Sequence, residues 1–163
     1  MLAAMTQKGV CTISLGDAAA ALVARLRADF PRAGRIAPDA DGSIPLEEIV
    51  QAVEVPGTPW RLPLDMRGTP FEQRVWEAIR EIPTGTTSTF QAIAHAVGGE
   101  ATAQEVGEAC APCPFAVVVP CHRVIRSDGR LPGCWWNAPW ARILLQREYE
   151  AAPGPDSLFG AMG

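Results

Sequence analysis

Phe115-Ala116-Val117-Val118-Val119-Pro120-Cys121-His122-Arg123-Val124 sets a thiol and an imidazole side by side at the exit of an apolar run that reads as a buried strand. A thiol near its free pKa of about 8.5 is only a few per cent thiolate at neutral pH, and a neighbouring imidazole raises that fraction. Side chains alternate along a strand, so Cys121 and His122 can cooperate only through a turn at Pro120 or a bridging water. Taken alone, the pair is equally compatible with a buried structural thiol. The residues downstream narrow the choice. Ser127-Asp128-Gly129-Arg130 is an Asp-Gly turn signal, and residues 131–140 form a loop with Pro132, Gly133, Pro139 and three tryptophans. A strand, a candidate nucleophile, a turn and an aromatic loop together outline a pocket.

The chain has 163 residues, is 48% hydrophobic, and contains no apolar run approaching the roughly 18 residues of a membrane span. That predicts one or two small cores and no membrane segment. The first residues lack a basic start followed by a long apolar stretch, so the expected location is the cytoplasm, with the five cysteines reduced. An odd cysteine count also argues against a complete disulfide framework. The net charge of −4 counts against strong nonspecific binding to nucleic acid, which depends on neutralising phosphates. Much of the acid, however, lies early, at Asp39, Asp41, Glu47, Glu48 and Glu54, while Arg123, Arg126 and Arg130 gather near the pocket and leave room for a local basic face.

Residues 9–15 are strand-like, and residues 18–30 carry Leu22, Val23 and Leu26 at helical spacing. A Gly, Pro and Asp segment breaks the pattern until Pro45 opens a second helix through Val53, and Pro56-Gly57-Thr58-Pro59 links onward. Beyond residue 60 the pattern is helical. Residues 70–82 put Phe71, Val75, Trp76, Ile79 and Ile82 on one face, and helices over 89–97 and 102–111 meet through Gly98-Gly99 as a helix-turn-helix would. The expected fold is α+β: a small N-terminal α/β domain and linker over 1–59, a mainly helical domain with helix-turn-helix and cysteine over 60–150, and a tail over 151–163. Gly98-Gly99 sits in neither a Walker pattern nor a dinucleotide fingerprint, so no nucleotide cofactor is expected. Cys110-Ala111-Pro112-Cys113, with Cys121, His122 and Cys134, offers a rival reading as a zinc site or redox pair. Pro112 ends the helix between the cysteines and no second close ligand pair exists, so no metal is expected either.

With these residues in hand, the sequence resembles the O6-alkylguanine-DNA alkyltransferases, the methylated-DNA–protein-cysteine methyltransferases. The resemblance rests on Pro120 to Val124, on Arg67-Gly68-Thr69-Pro70-Phe71-Glu72-Gln73-Arg74-Val75-Trp76, on Ile82-Pro83-Thr84-Gly85-Thr86 and on Leu144-Leu145-Gln146-Arg147-Glu148. It covers about residues 60 to 150, and with Leu62-Pro63-Leu64-Asp65 it looks like the C-terminal half of the bacterial adaptive-response regulator. It implies single-turnover repair without cofactor by a monomer acting on double-stranded DNA that contains alkylated guanine. The guanine is flipped from the stack and its O6-alkyl group moves irreversibly to the protein. By resemblance Cys121 is the nucleophile, His122 the base acting through a water, and Glu148 the carboxylate that orients the imidazole.

The resemblance also assigns substrate or DNA contacts to Phe90, Gln104, Cys113, Arg123, Val124, Ser127, Cys134 and Trp135, and five of these depart from the family pattern. Gln104 stands where an arginine usually enters the base stack, and Phe90 where a tyrosine usually rotates a phosphate. Cys113 replaces a bridging asparagine, and Cys134 a tyrosine over the guanine, followed by Trp135 in place of a small residue. The alternative is therefore a divergent homologue that takes a different alkylated substrate or senses lesions without efficient repair.

Overall fold

The computed structural model describes residues 1–131 and 138–152. Leu2–Thr6 (β1) and Gly9–Ser14 (β2) pair as an antiparallel hairpin with an irregular register between Ala4 and Met5. β1 lacks a strong sequence signal because all five of its residues are only half-buried, so it has no hidden face to pattern. β2 is buried along its whole length, and its other edge is covered by two later segments. Val10 donates to the Pro63 carbonyl and accepts from Asp65, while Ile13 donates to Pro114 and accepts from Ala116. The backbone comes so close at Gly9, where φ is +140°, that a Cβ would lie 2.2 Å from the Pro63 oxygen. Asp65 strengthens the seam by accepting from the Thr6 hydroxyl and the Arg67 guanidinium, each at 2.8 Å.

Ala19–Asp29 (α1) buries one residue, Leu22, and Leu46–Glu54 (α2) buries Ile49 and Ala52. Pro70–Arg80 (α3) starts where chemistry dictates. Thr69 accepts from the Glu72 amide, the Glu72 carboxylate accepts from the Thr69 amide at 2.6 Å, and proline fills the first helical position. Its apolar face supplies Val75, Trp76 and Ile79 to the core. The Trp76 indole donates to the Ala109 carbonyl at 2.8 Å and meets the Phe115 ring edge-on at 6.2 Å.

Phe90–Val97 (α4) and Ala103–Cys110 (α5) are capped by Thr89 and Thr102, and between them Gly98 and Gly99 both adopt left-handed φ. With α3 they form a packed trio, in which α4 and α5 make the expected helix-turn-helix pair. A two-residue parallel ladder joins Ser88–Thr89 (β3) to Val124–Ile125 (β4), and Ala138–Ala151 (α6) closes the described chain. A single set of buried residues runs from Val10, Ile13 and Ile49 through Val75 and Val106 to Leu144, so the core is continuous across residue 60. Among the described residues, no helix is long and apolar enough to cross a membrane.

The run before Cys121 corrects the sequence reading. Phe115 makes one parallel bridge to Ile13, but residues 116–119 turn instead of continuing as a strand. Val118 donates to Ala116 and Val119 to Phe115, and Val117 takes a φ of +68°, which a β-branched side chain rarely adopts. Prolines at 114 and 120 remove two ladder donors, and burial on all sides explains why the run is apolar without forming a strand.

Candidate active site

Cys121, His122 and Arg123 form one 3₁₀ turn between the Val117 turn and β4, all three of them buried. This turn stands where the sequence suggests the exit of a strand. The His122 Nε2 lies 2.6 Å from the Glu148 Oε1, with both side chains almost completely enclosed. Glu148 comes from α6 and is no solvated helix carboxylate. Its Oε2 accepts from Arg123 Nε at 2.9 Å and from the Gly85 amide at 3.3 Å, and its Oε1 accepts from Arg123 Nη2 at 2.9 Å. The remaining guanidinium donors reach the Ile82 carbonyl and the Thr84 hydroxyl. Turn 82–85, the 3₁₀ turn and α6, three separate stretches of sequence, thus converge on one carboxylate.

Arg123 therefore does not join Arg126 and Arg130 on a basic face. Its guanidinium is turned inward as the fork that holds Glu148.

Burial opposes the charge on Glu148, but hydrogen bonds from His122 and Arg123 outweigh it and hold the carboxyl at about 2. The imidazole of His122 is pushed down, chiefly by burial, against the upward pull of Glu148. At neutral pH the pair is a carboxylate beside a neutral ring. A carboxylate can only accept, so Nε2 carries the proton and Nδ1 carries the basic lone pair. Hydrogen bonds with the Cys110 and Cys113 thiols, together with burial, push Cys121 well above its ordinary value. Cys121 therefore rests as a thiol, and any use of it as a nucleophile requires a proton acceptor.

A groove of roughly 810 Å³ opens between the start of α4, the exposed face of α5 and the turn after β4. Phe90, Gln104, Cys110, Arg126 and Ser127 line it. Cys110, buried at the end of α5, is one of the residues lining the groove. Phe90 packs over Gly107, where a Cβ would lie 3.8 Å from the ring. Gln104 donates to Glu108 at 3.0 Å along the same helix. Val124 is wholly buried and pairs with Ser88 in the short parallel ladder. Cys113 is buried within the thiol group and faces neither groove nor solvent. Cys134 and Trp135 lie outside the described residues. Among the described residues, no group of three His, Cys, Asp or Glu is arranged to hold a metal ion.

Sequence reasoning missed Thr84, Gly85 and Ile82 as neighbours of the Arg123–Glu148 pair, because they carried only a turn signature.

Comparison with known proteins agrees with this geometry. Residues 70–150 match the family model described as 6-O-methylguanine DNA methyltransferase, DNA binding domain. Over 149 residues the chain is 40% identical to the bifunctional transcriptional activator/DNA repair enzyme Ada of Escherichia coli K12, covering 91% of this chain and 42% of that protein. It is 42% identical over 102 residues to a methylated-DNA–protein-cysteine methyltransferase of Mycobacterium bovis, covering 63% of this chain and 62% of the relative. The chain thus spans less than two thirds of the length of either relative. The crystal structure of Mycobacterium tuberculosis OGT in complex with DNA superposes with a TM-score of 0.59 at 37% identity, covering 67% of this chain and 68% of that one. The O6-methylguanine-DNA methyltransferase of Pyrococcus kodakaraensis KOD1 shares the fold, with a TM-score of 0.69 at 23% identity over 88% of each chain. On sequence and fold together, this chain belongs to the O6-methylguanine-DNA methyltransferase family.

Proposed function

We propose that this chain removes the O6-alkyl group from guanine in double-stranded DNA by transferring it to Cys121, one group per protein molecule. The observation that carries the reading is the enclosed Cys121-His122-Glu148 arrangement with Arg123 fixing its carboxylate. His122 Nδ1 accepts the Cys121 proton through a water, and Glu148 steadies the imidazolium that forms. The thiolate attacks the alkyl carbon, an S–C bond forms, the C–O6 bond breaks, and the electron pair moves to the purine, which regains a proton as guanine. The resulting thioether is a poor leaving group, so the protein is spent. A base inside a duplex cannot reach a buried thiol, so the nucleotide must be extruded into the groove, with Phe90, Gln104 and Ser127 on the DNA side. The relatives' names and the DNA complex of the mycobacterial protein support this reading. It describes a cytoplasmic protein acting as a monomer without a cofactor.

Titrating the protein against a fixed amount of O6-methylguanine duplex and digesting the DNA to nucleosides tests it. Lesion loss should stop at one per protein. Turnover beyond that, or no loss at all, contradicts the proposal.

A further inference from the structure

Binding to duplex DNA draws most of its nonspecific affinity from positive charge laid against phosphates. The helix-turn-helix of this chain supplies none. Residues 81–122 contain no lysine or arginine, whereas Glu105 and Glu108 stand on α5 and Glu100 in the turn that leads into it. The Glu105 carboxylate accepts from the Thr102 amide and hydroxyl, each at 2.8 Å, and the Glu108 carboxylate accepts from the Gln104 amide at 3.0 Å. These neutral donors fix the carboxylates in place and leave their charge standing. The α5 wall of the groove, where Gln104 and Glu108 lie, is therefore negative.

The other wall carries the opposite sign. After β4 the chain closes a tight turn, in which the Arg126 amide donates to the Arg130 carbonyl and the Gly129 amide to the Arg126 carbonyl, each at 2.9 Å, with Gly129 at a φ of +79°. Both arginines thus stand at the base of one hydrogen-bonded turn, and Arg126 and Ser127 line the groove. Arg126 is exposed, and no ion pair or side-chain hydrogen bond engages its guanidinium among the described residues. Arg130 meets Asp128 at 3.8 Å with the two side chains 83% and 54% exposed, a contact too long and too wet to hold it back. The nearby Arg123 is unavailable because it is buried on Glu148. We propose that the turn over 126–130 is the element that grips the DNA backbone, with Arg126 and Arg130 each on one phosphate, while α4 and α5 face the duplex without positive charge. Guanidinium groups match phosphate oxygens in geometry as well as charge. Placing the grip on one short turn also reconciles DNA binding with a net charge of −4.

The inference rests on the proposed DNA substrate, but its test uses a duplex without a lesion, so failure here is distinct from failure of alkyl transfer. Binding of a fluorescein-labelled, unmodified duplex is followed by anisotropy at several salt concentrations. The slope of log affinity against log salt should become shallower by about 0.9 in Arg126→Gln, and by about 1.8 when Arg130→Gln is added. Arg80→Gln removes the same charge from an exposed position at the end of α3 that lines no part of the groove, and it should leave the slope at the wild-type value. An unchanged slope in the single or the double variant overturns the proposal. So does a loss in Arg80→Gln equal to that in Arg126→Gln, or the absence of measurable binding by the wild-type protein at the lowest salt.

Discussion

The Nε2 of His122 and the Oε1 of Glu148 lie 2.6 Å apart in a region closed to solvent, and the same carboxylate is gripped by Arg123 through Nε and Nη2. Glu148 therefore does two jobs with one charge: it fixes the tautomer of the base and neutralises a buried guanidinium. Glu148→Gln keeps the shape but removes the charge. Breaking one partner of a buried ion pair costs about 3–5 kcal/mol. The variant should melt at a lower temperature and methylate Cys121 far more slowly, as read by denaturant unfolding and single-turnover mass analysis. Wild-type stability in this variant would mean that the charge on Glu148 contributes nothing to folding.

Acid should loosen the protein in two stages. His122 has a folded pKa below its ordinary 6.5, so the unfolded chain binds its proton more readily. Its contribution is fully present above that value and falls as pH drops below it. Glu148 is lowered from 4.5 to about 2, so its share is lost between those two values. Melting temperature should decline from pH 7 toward pH 5, then decline again below about 4.5. His122→Gln should flatten the upper decline and leave the lower one, because glutamine does not titrate.

Gly85 sits in turn 82–86 at a φ of +78°, and a Cβ there would lie 3.0 Å from the Ala152 Cβ and 3.5 Å from the Glu148 carbonyl. Gly85→Ala must either strain the turn, at about 1–2 kcal/mol, or push α6 outward. Either outcome loosens Glu148, so the substitution should lower both the unfolding free energy and the transfer rate. Unchanged values for both would show that the turn does not set the position of α6.

Gln104 is exposed on α5 and spends its amide on Glu108, leaving that part of the groove without positive charge. Gln104→Arg should tighten binding to duplex DNA and steepen the salt dependence by about one unit of slope, as measured by fluorescence anisotropy at several salt concentrations. Unchanged affinity would mean that residue 104 does not face the duplex.

The helices were legible because their signals are local. Thr69, Pro70 and Glu72 mark a helix start within four residues, and Val75, Trp76 and Ile79 mark its inner face. The Phe115–Val119 run was misread because burial on every side erases periodicity, leaving a turn and a core strand alike in hydrophobicity. β1 escaped notice for the opposite reason, having no buried face at all. At the site, the adjacency of Cys121 and His122 and the later Glu148 were legible in the sequence as motif positions. The inward turn of Arg123 was not, because an arginine beside a nucleophile reads equally as a phosphate ligand, and only the 25-residue separation closed by α6 brings it to Glu148. The return of Cys113 toward Cys110 likewise depends on how the bend at Pro112 folds back, which no local pattern records.

The most direct test of the central claim is to mix the protein with a duplex containing O6-methylguanine and map the mass gain by peptide analysis, with Cys121→Ser in parallel. The account predicts one methyl group, on Cys121, and none anywhere in the folded Cys121→Ser variant, since an oxygen of similar size is far less nucleophilic at neutral pH. A methyl group on another cysteine, or an unchanged protein mass with the lesion intact and the thiols reduced, would contradict it.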